Sequence, residues 1–221
     1  MSFSRIYNQA AARKGGEVEL RAILPRVAAP GELEAMADDR YLSEVTRCVF
    51  KAGFVWRVIE NKWPGFEDAF KGFVPLYWQQ VPPEVLEDLA QDERIVRNMQ
   101  KIRTVPDNAR MIVDTAREHG SFGKFLANWP RSDQAGLLIW LKRNGARLGG
   151  NSAQYFLRRV GWDGFILSRD VIAALHREEL MDASPTSKKG LIQAQEAFNS
   201  WHDESGLPYS HLSRILSFTV D

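Results

Sequence analysis

Cysteine occurs once in the chain, as Cys48, which excludes an internal disulfide framework and any multi-cysteine zinc cluster. Its simplest role is that of a small buried hydrophobe. Long apolar runs are missing as well. None approaches the length of a bilayer span, and the N-terminal MSFSRIYNQAAARKGGEVEL lacks the hydrophobic stretch of a secretory signal, so a cytoplasmic protein with no membrane partner is expected. Neither sign of charge dominates: 29 Lys and Arg face 28 Asp and Glu, and net charge gives no argument for a nucleic-acid partner. The motifs G-x-S-x-G, G-x-G-x-x-G and the P-loop do not occur, which argues against α/β-hydrolase, dehydrogenase and kinase readings. His119, His176, His202 and His211 are scattered, with no pair at metal-ligand spacing.

What is present is helical periodicity. Apolar residues recur at three- and four-residue spacing, as in Val45, Val49, Ala52, Gly53 and Trp56, while strict period-two alternation is hard to find. The chain is therefore expected to be all-α. Breaks at Pro64-Gly65, Pro75, Pro82-Pro83, Pro106, Gly120, Pro130, Gly145, Gly161, Gly164, Pro185 and Pro208 divide it into about ten short helices. With 221 residues, 44% of them hydrophobic, it can bury a full core as one domain, 1–221, in two closely packed lobes. The first residues, 1–16, are expected to be loosely ordered, and Asp182–Lys189 to be a mobile polar connection.

Charge is distributed unevenly. Acidic residues gather at 32–44 and 84–93, whereas Arg94, Arg97, Lys101, Arg103 and Arg110 fall together, as do the basic residues of 142–159. These basic segments are either one phosphate-facing surface or ordinary solvated helix faces. The segment Leu141–Leu175 reads as helix, glycine hairpin (141–161), second helix, then a loop delivering Asp170 to a third helix beginning near Val171. Gly149 and Gly150 permit a turn without side chains, so that backbone N–H groups at a helix N-terminus can approach a phosphate. Lys142, Arg143, Arg147, Arg158 and Arg159 surround that turn. Asp170 has two compatible readings. It is a helix cap, or a carboxylate that stabilises an oxocarbenium-like sugar and orients water. Phe54 and Trp56, next to a glycine, are either a pocket wall that stacks an extruded base or simply core.

Three segments resemble the DNA-3-methyladenine glycosylase I family of the helix-hairpin-helix DNA glycosylases. Tyr41–Phe73 is similar to the family's pocket segment, with Ala52-Gly53 and Trp56 matching its alanine-glycine and tryptophan and Phe66, Ala69 and Phe70 continuing it. Ile95–Arg110 is similar to its isoleucine-arginine-asparagine, lysine-isoleucine and asparagine-alanine-arginine pattern. Gly120–Leu126 and Leu141–Gly161 match its later helices and hairpin, so that the likeness spans residues 38–175. There are departures. Cys48 stands where the family has a pocket glutamate, eight residues before the tryptophan, and the family's zinc ligands have no counterparts. Ser168-Arg169-Asp170-Val171 instead resembles the wider superfamily, in which an aspartate at this place is catalytic, and 197–217 fits a helical extension. Bifunctional members carry a lysine where this chain has Asn151, and without an amine no Schiff base can form.

The resemblance implies a monofunctional glycosylase that flips out an alkylated purine, 3-methyladenine first, hydrolyses its N-glycosidic bond and leaves the strand uncut. Asp170 would be the catalytic carboxylate. Trp56, Phe54 and Cys48 would form the base pocket, with Glu44, one helical turn from Cys48, as a spare pocket carboxylate or else a salt-bridged surface residue. Arg147, Gly149, Gly150, Asn151, Lys142 and Lys101 would hold the DNA backbone. No cofactor and no metal are expected. The partner is double-stranded DNA containing a damaged base, bound by a monomer that is cytoplasmic and nucleoid-associated. The rivals are a relative that binds damaged DNA without hydrolysis, favoured by the missing glutamate, and an α-helical protein-interaction module with a coincidental hairpin.

Overall fold

The computed structural model describes residues 2–220, among which there are fifteen α-helices, two short 3-10 turns and no strand. In chain order these are α1 (Phe3–Lys14), α2 (Glu17–Ala22), α3 (Pro30–Ala35), α4 (Asp38–Lys51), α5 (Trp56–Ala69), α6 (Pro75–Trp78), α7 (Pro83–Leu89) and α8 (Met99–Ile102). Then follow α9 (Thr104–His119), α10 (Phe122–Asn128), α11 (Gln134–Asn144), α12 (Asn151–Arg159), α13 (Arg169–Arg177), α14 (Lys188–Ser205) and α15 (Tyr209–Ser217). The all-α expectation holds, with more helices than about ten because pieces as short as α6 and α8 leave little periodic signal. Two expected breaks are absent. Pro106 lies in the first turn of α9, where its missing N–H costs nothing. Pro64 lies inside α5, which continues to Ala69. There Gly65 lets the helix lie against the chain: a β-carbon on it would stand 2.6 Å from the Arg94 carbonyl.

The chain divides into two compact units, each discontinuous in sequence. One comprises Ala29–Trp129 and Trp140–Leu148. In it α9 packs on α4, α6 and α10, and α10 on α3. Tyr41 Oη donates to the Leu33 carbonyl at 2.6 Å, and Gly123 leaves room for the same carbonyl. Its core holds a run of stacked rings: Trp63 lies 4.9 Å from Phe66 and 5.6 Å from Phe73, and Phe70 lies 5.1 Å from both Phe73 and Trp78. Burying side chains of this size is worth about 1.5–3 kcal/mol each.

The other unit takes the chain up to Ala28, Pro130–Ile139 and everything from Gly149 onward. Here α1 packs on α2, α14 and α15. Phe3, Ile6 and Ala10 are buried, Phe3 N donates to Glu204 at 2.8 Å, and Arg5 pairs with Glu178 at 2.6 Å. The loosely ordered N-terminus expected over 1–16 is thus a packed amphipathic helix, apart from Met1, which lies outside the described residues. Its apolar stripe at Phe3, Ile6 and Ala10 gives the physical reason. The polar connection before α14 is tied as well, since Ala183 N donates to Gln193 Oε1 at 3.2 Å and Gln193 Nε2 to Asp182 Oδ1 at 2.6 Å. The C-terminal extension is helical, as α14 and α15.

Candidate functional site

In the unit built on α9, the pocket segment is a turn between α4 and α5. Helix α4 stops at Lys51 because Ala52 leaves the helical conformation and Gly53 adopts φ 70°, open to a glycine at no steric cost. The turn then presents three apolar side chains to solvent, Phe54 at 41%, Val55 at 66% and Trp56 at 47% exposure. Core residues at these sizes would be covered, and the stacked rings of Trp63, Phe66, Phe70 and Phe73 are. Phe54 and Trp56 are therefore exposed at this turn and are not part of the core. Cys48 lies one turn back in α4 and is 4% exposed.

Ionic contacts organise the same segment. Arg47 pairs with Glu44 at 3.4 Å and with Glu60 at 3.5 Å, and lies 4.2 Å over the Trp63 ring. Lys51 pairs with Glu60 and its ammonium sits 5.2 Å from the centre of the Trp56 ring. Glu44 thus has the salt-bridged role, not that of a carboxylate held in reserve. Lys101 departs further from expectation. It is 5% exposed, and its ammonium donates to the carbonyls of Phe50 at 2.9 Å and Ala52 at 2.7 Å, 5.1 Å from the centre of the Phe54 ring. A lysine so engaged is withdrawn from a phosphate surface; burial first and the charge of Arg147 second hold its pKa below the usual lysine value. The reason for the departure is that α4 ends with carbonyls that need donors, and Lys101 supplies them.

Glu67 was not singled out by the sequence. Its carboxylate accepts from Arg40 Nη1 and Nη2 at 3.1 and 3.0 Å, Ser43 Oγ at 2.6 Å and Trp63 Nε1 at 2.9 Å. Burial alone would raise its pKa, but the hydrogen bonds from Arg40, Ser43 and Trp63 outweigh it and hold the group below the usual carboxylate range. The spacing of Trp63 and Glu67, one helical turn, was the available signal.

The hairpin begins where α11 ends. Gly145 N donates to Leu141 at 2.9 Å, and the buried Asn108 of α9 grips the next peptide from both sides, accepting from Ala146 N at 2.8 Å and donating to its carbonyl at 3.2 Å. Arg147 takes a left-handed φ of 57° and donates to Gln100 Oε1 at 2.7 Å, and Leu148 is buried. Gly150, at φ 56° and ψ −134°, is the residue before α12 and has no atom within 4 Å of where a β-carbon would stand. Asn151 opens α12, with no side chain capping the helix. The N–H groups of that first turn are left to an outside acceptor. Lys142, Arg143, Arg147 and Arg159, the basic residues that flank the turn in sequence, are exposed. Arg158 is not of this group: its guanidinium turns inward, to the Gly164 carbonyl at 2.9 Å and Ser213 Oγ at 3.1 Å, and burial pushes its pKa down to about 10.

From α12 the chain runs to Asp170 along a loop pinned by two buried amides. Gln134 holds Phe165 N and its carbonyl, both at 2.8 Å, and Gln154 Oε1 accepts from Leu167 N at 2.6 Å. Helix α13 then starts at Arg169, with Ser168 Oγ accepting from Val171 N at 3.3 Å. The cap is Ser168, and Asp170 follows in the first turn with its carboxylate about half exposed, 4.0 Å from Arg169 Nε. The capping role read for Asp170 falls to a neighbour because the helix begins two residues earlier than expected. Among the described residues, no three His, Cys, Asp or Glu side chains gather as metal ligands, and no helix is long and apolar enough to cross a membrane.

A helical chain in which a glycine hairpin opens one helix and a pinned loop sets a carboxylate into the next has the fold of the helix-hairpin-helix DNA glycosylases. The 3-methyladenine DNA glycosylase I of Staphylococcus aureus is 20% identical, with a TM-score of 0.52 over 70% of this chain and 90% of that one. The 8-oxoguanine glycosylase/lyase of Methanocaldococcus jannaschii, solved with a 15mer DNA containing 8-oxoguanine, is 16% identical with a TM-score of 0.57 over 97% of this chain and 96% of that one. More particularly, residues 34–136 match the methyladenine glycosylase family. That stretch is just under half of the chain. The match ends before the hairpin and Asp170, short of the 38–175 expected, so those parts resemble the class through fold.

Proposed function

We propose that the protein hydrolyses the N-glycosidic bond of a damaged purine flipped out of double-stranded DNA and leaves the strand intact. The observation that carries this reading is Asp170: a half-exposed carboxylate, relieved of capping by Ser168 and presented by a loop that Gln134 and Gln154 immobilise. In the reaction, water oxygen bonds to C1′ while the glycosidic electron pair leaves with the base. Ionised Asp170 stabilises the positive sugar that develops and accepts a hydrogen bond from the incoming water. The open N–H groups at the start of α12, with Arg147, Lys142 and Asn151, hold backbone phosphates. Phe54 and Trp56 stack the extruded base over the Cys48 side of α4. Asn151 at the head of α12 offers no amine, so hydrolysis proceeds without strand cleavage.

Resemblance to the 3-methyladenine enzymes makes an alkylated purine, 3-methyladenine, the first base to test. The protein acts as a monomer without a cofactor, on chromosomal DNA in the cytoplasm. Purified protein is incubated with methylated duplex DNA and with duplexes carrying single lesions, and free bases are resolved by chromatography. Release of a base that falls at least a hundredfold in Asp170→Asn, with DNA affinity retained, supports the reading. DNA bound with no base released from any duplex would leave a damage-binding protein instead.

A further inference from the structure

The aromatic wall is already occupied by positive charge. Lys101 lies 5.1 Å from the centre of the Phe54 ring and Lys51 lies 5.2 Å from that of Trp56. An ammonium on an aromatic face is attracted by the ring quadrupole and leaves that ring less able to attract a second cation. Negative charge nearby is engaged: Glu44 by Arg47, Glu60 by Arg47 and Lys51, Glu67 by Arg40. Among the described residues, no carboxylate pairs with Lys101, whose partners are the carbonyls of Phe50 and Ala52. One turn before the glycine turn the chain carries an uncharged residue, Cys48.

Ring-alkylated purines such as 3-methyladenine and 7-methylguanine carry a positive charge while still joined to the sugar. Deaminated or etheno-bridged purines do not. We propose that this site selects uncharged damaged purines over cationic ones, and that Lys101 is the residue that sets the preference. The inference rests on the base-excision reading above and moves its preferred substrate from 3-methyladenine to an uncharged damaged purine. Hydrolysis is the same for both kinds of base in its bonds made and broken. A cationic base departs neutral and the proton given up by the attacking water passes to solvent, whereas an uncharged base departs with the electron pair and takes up that proton. The poorer leaving group therefore relies more on Asp170 and on firm stacking, and Lys101 supports the latter by fixing the turn that carries Phe54.

The test uses duplexes matched in sequence that carry hypoxanthine or 1,N6-ethenoadenine, both uncharged, or 7-methylguanine, which is cationic, together with methylated DNA as the source of 3-methyladenine. Single-turnover release is measured for the wild-type protein, Lys101→Met and Lys101→Arg, with half-saturating protein concentration determined separately from the maximal rate. Wild-type protein is expected to release an uncharged base ahead of both methylated ones. Lys101→Met should shrink that ratio about tenfold, the effect of one charge across an aromatic ring, and Lys101→Arg should preserve it. Should Lys101→Met fail to fold, Phe54→Leu at the exposed turn supplies the second variant, and it too should narrow the ratio. Preference for 3-methyladenine or 7-methylguanine in the wild type, or a ratio unmoved in the variants, overturns the inference while leaving base excision in place. No release from any duplex overturns base excision and the inference with it.

Discussion

Two turns in this molecule share a glycine of positive φ and differ in the side chains that flank it. Gly53 before α5 and Gly150 before α12 both have positive φ, 70° and 56°, both have open space where a side chain would stand, and neither helix is capped by a side chain. Around Gly53 stand Phe54, Val55 and Trp56, with the nearby cations engaged by carboxylates or carbonyls. Next to Gly150 along the chain come the exposed Arg147 and Asn151. A glycine turn at a helix start is thus an exposed bracket of unspecified use. The side chains flanking it decide whether it offers a flat apolar face or a row of N–H donors and charges.

That contrast can be broken by experiment. The largest effect should come from the apolar turn: Trp56→Ala is expected to slow base release up to about a hundredfold, the value of one lost base–aromatic stack, while DNA affinity changes little. Equal losses of affinity and rate would mean that this turn also holds the backbone. Next, Gly150→Val forces a β-branched residue into a left-handed conformation over the open donors. Its DNA affinity should fall about tenfold with the single-turnover rate at saturation nearly unchanged. Smaller again is Arg147→Ala, which should lower the slope of log affinity against log salt by about one, uniformly across sequences.

The weakest expected effect sharpens the apolar side. Glu67 has a folded-state pKa below that of the unfolded chain, so the stability it adds is present above the ordinary carboxylate pKa and is lost as pH falls through its depressed value. Glu67→Gln should therefore be less stable than wild type at neutral pH and converge with it in acid. Chemical denaturation at a series of pH values measures this. A constant difference across that range would count against ionised Glu67 as the partner of Arg40.

The sequence was most legible where the physics is local. Helical periodicity marked the α class, the glycine pair fell in the turn before α12, and the apolar residues beside Gly53 fell on an exposed turn. It was least legible where a charged residue meets a distant backbone. Lys101 and Arg158 look like their exposed neighbours Arg103 and Arg159 in any charge pattern, yet each is turned inward by carbonyls brought from far along the chain. Asn108 and Gln154 carry the same lesson, because a buried amide that clamps a remote peptide has no spacing that gives it away. The helix at 3–14 was obscured for another reason: three buried residues in a polar segment are a faint stripe until α14 and α15 are there to cover them.

The interleaving of the two units sets an order of assembly during synthesis. The unit built on α9 is complete once Leu148 has left the ribosome. The other must wait, since α1 docks on α14 and α15 and its first N–H groups are held by Glu204. Its apolar face of Phe3, Ile6 and Ala10 therefore stays uncovered until α14 and α15 have been made. Until then the nascent protein carries an exposed amphipathic helix, the kind of segment that chaperones bind.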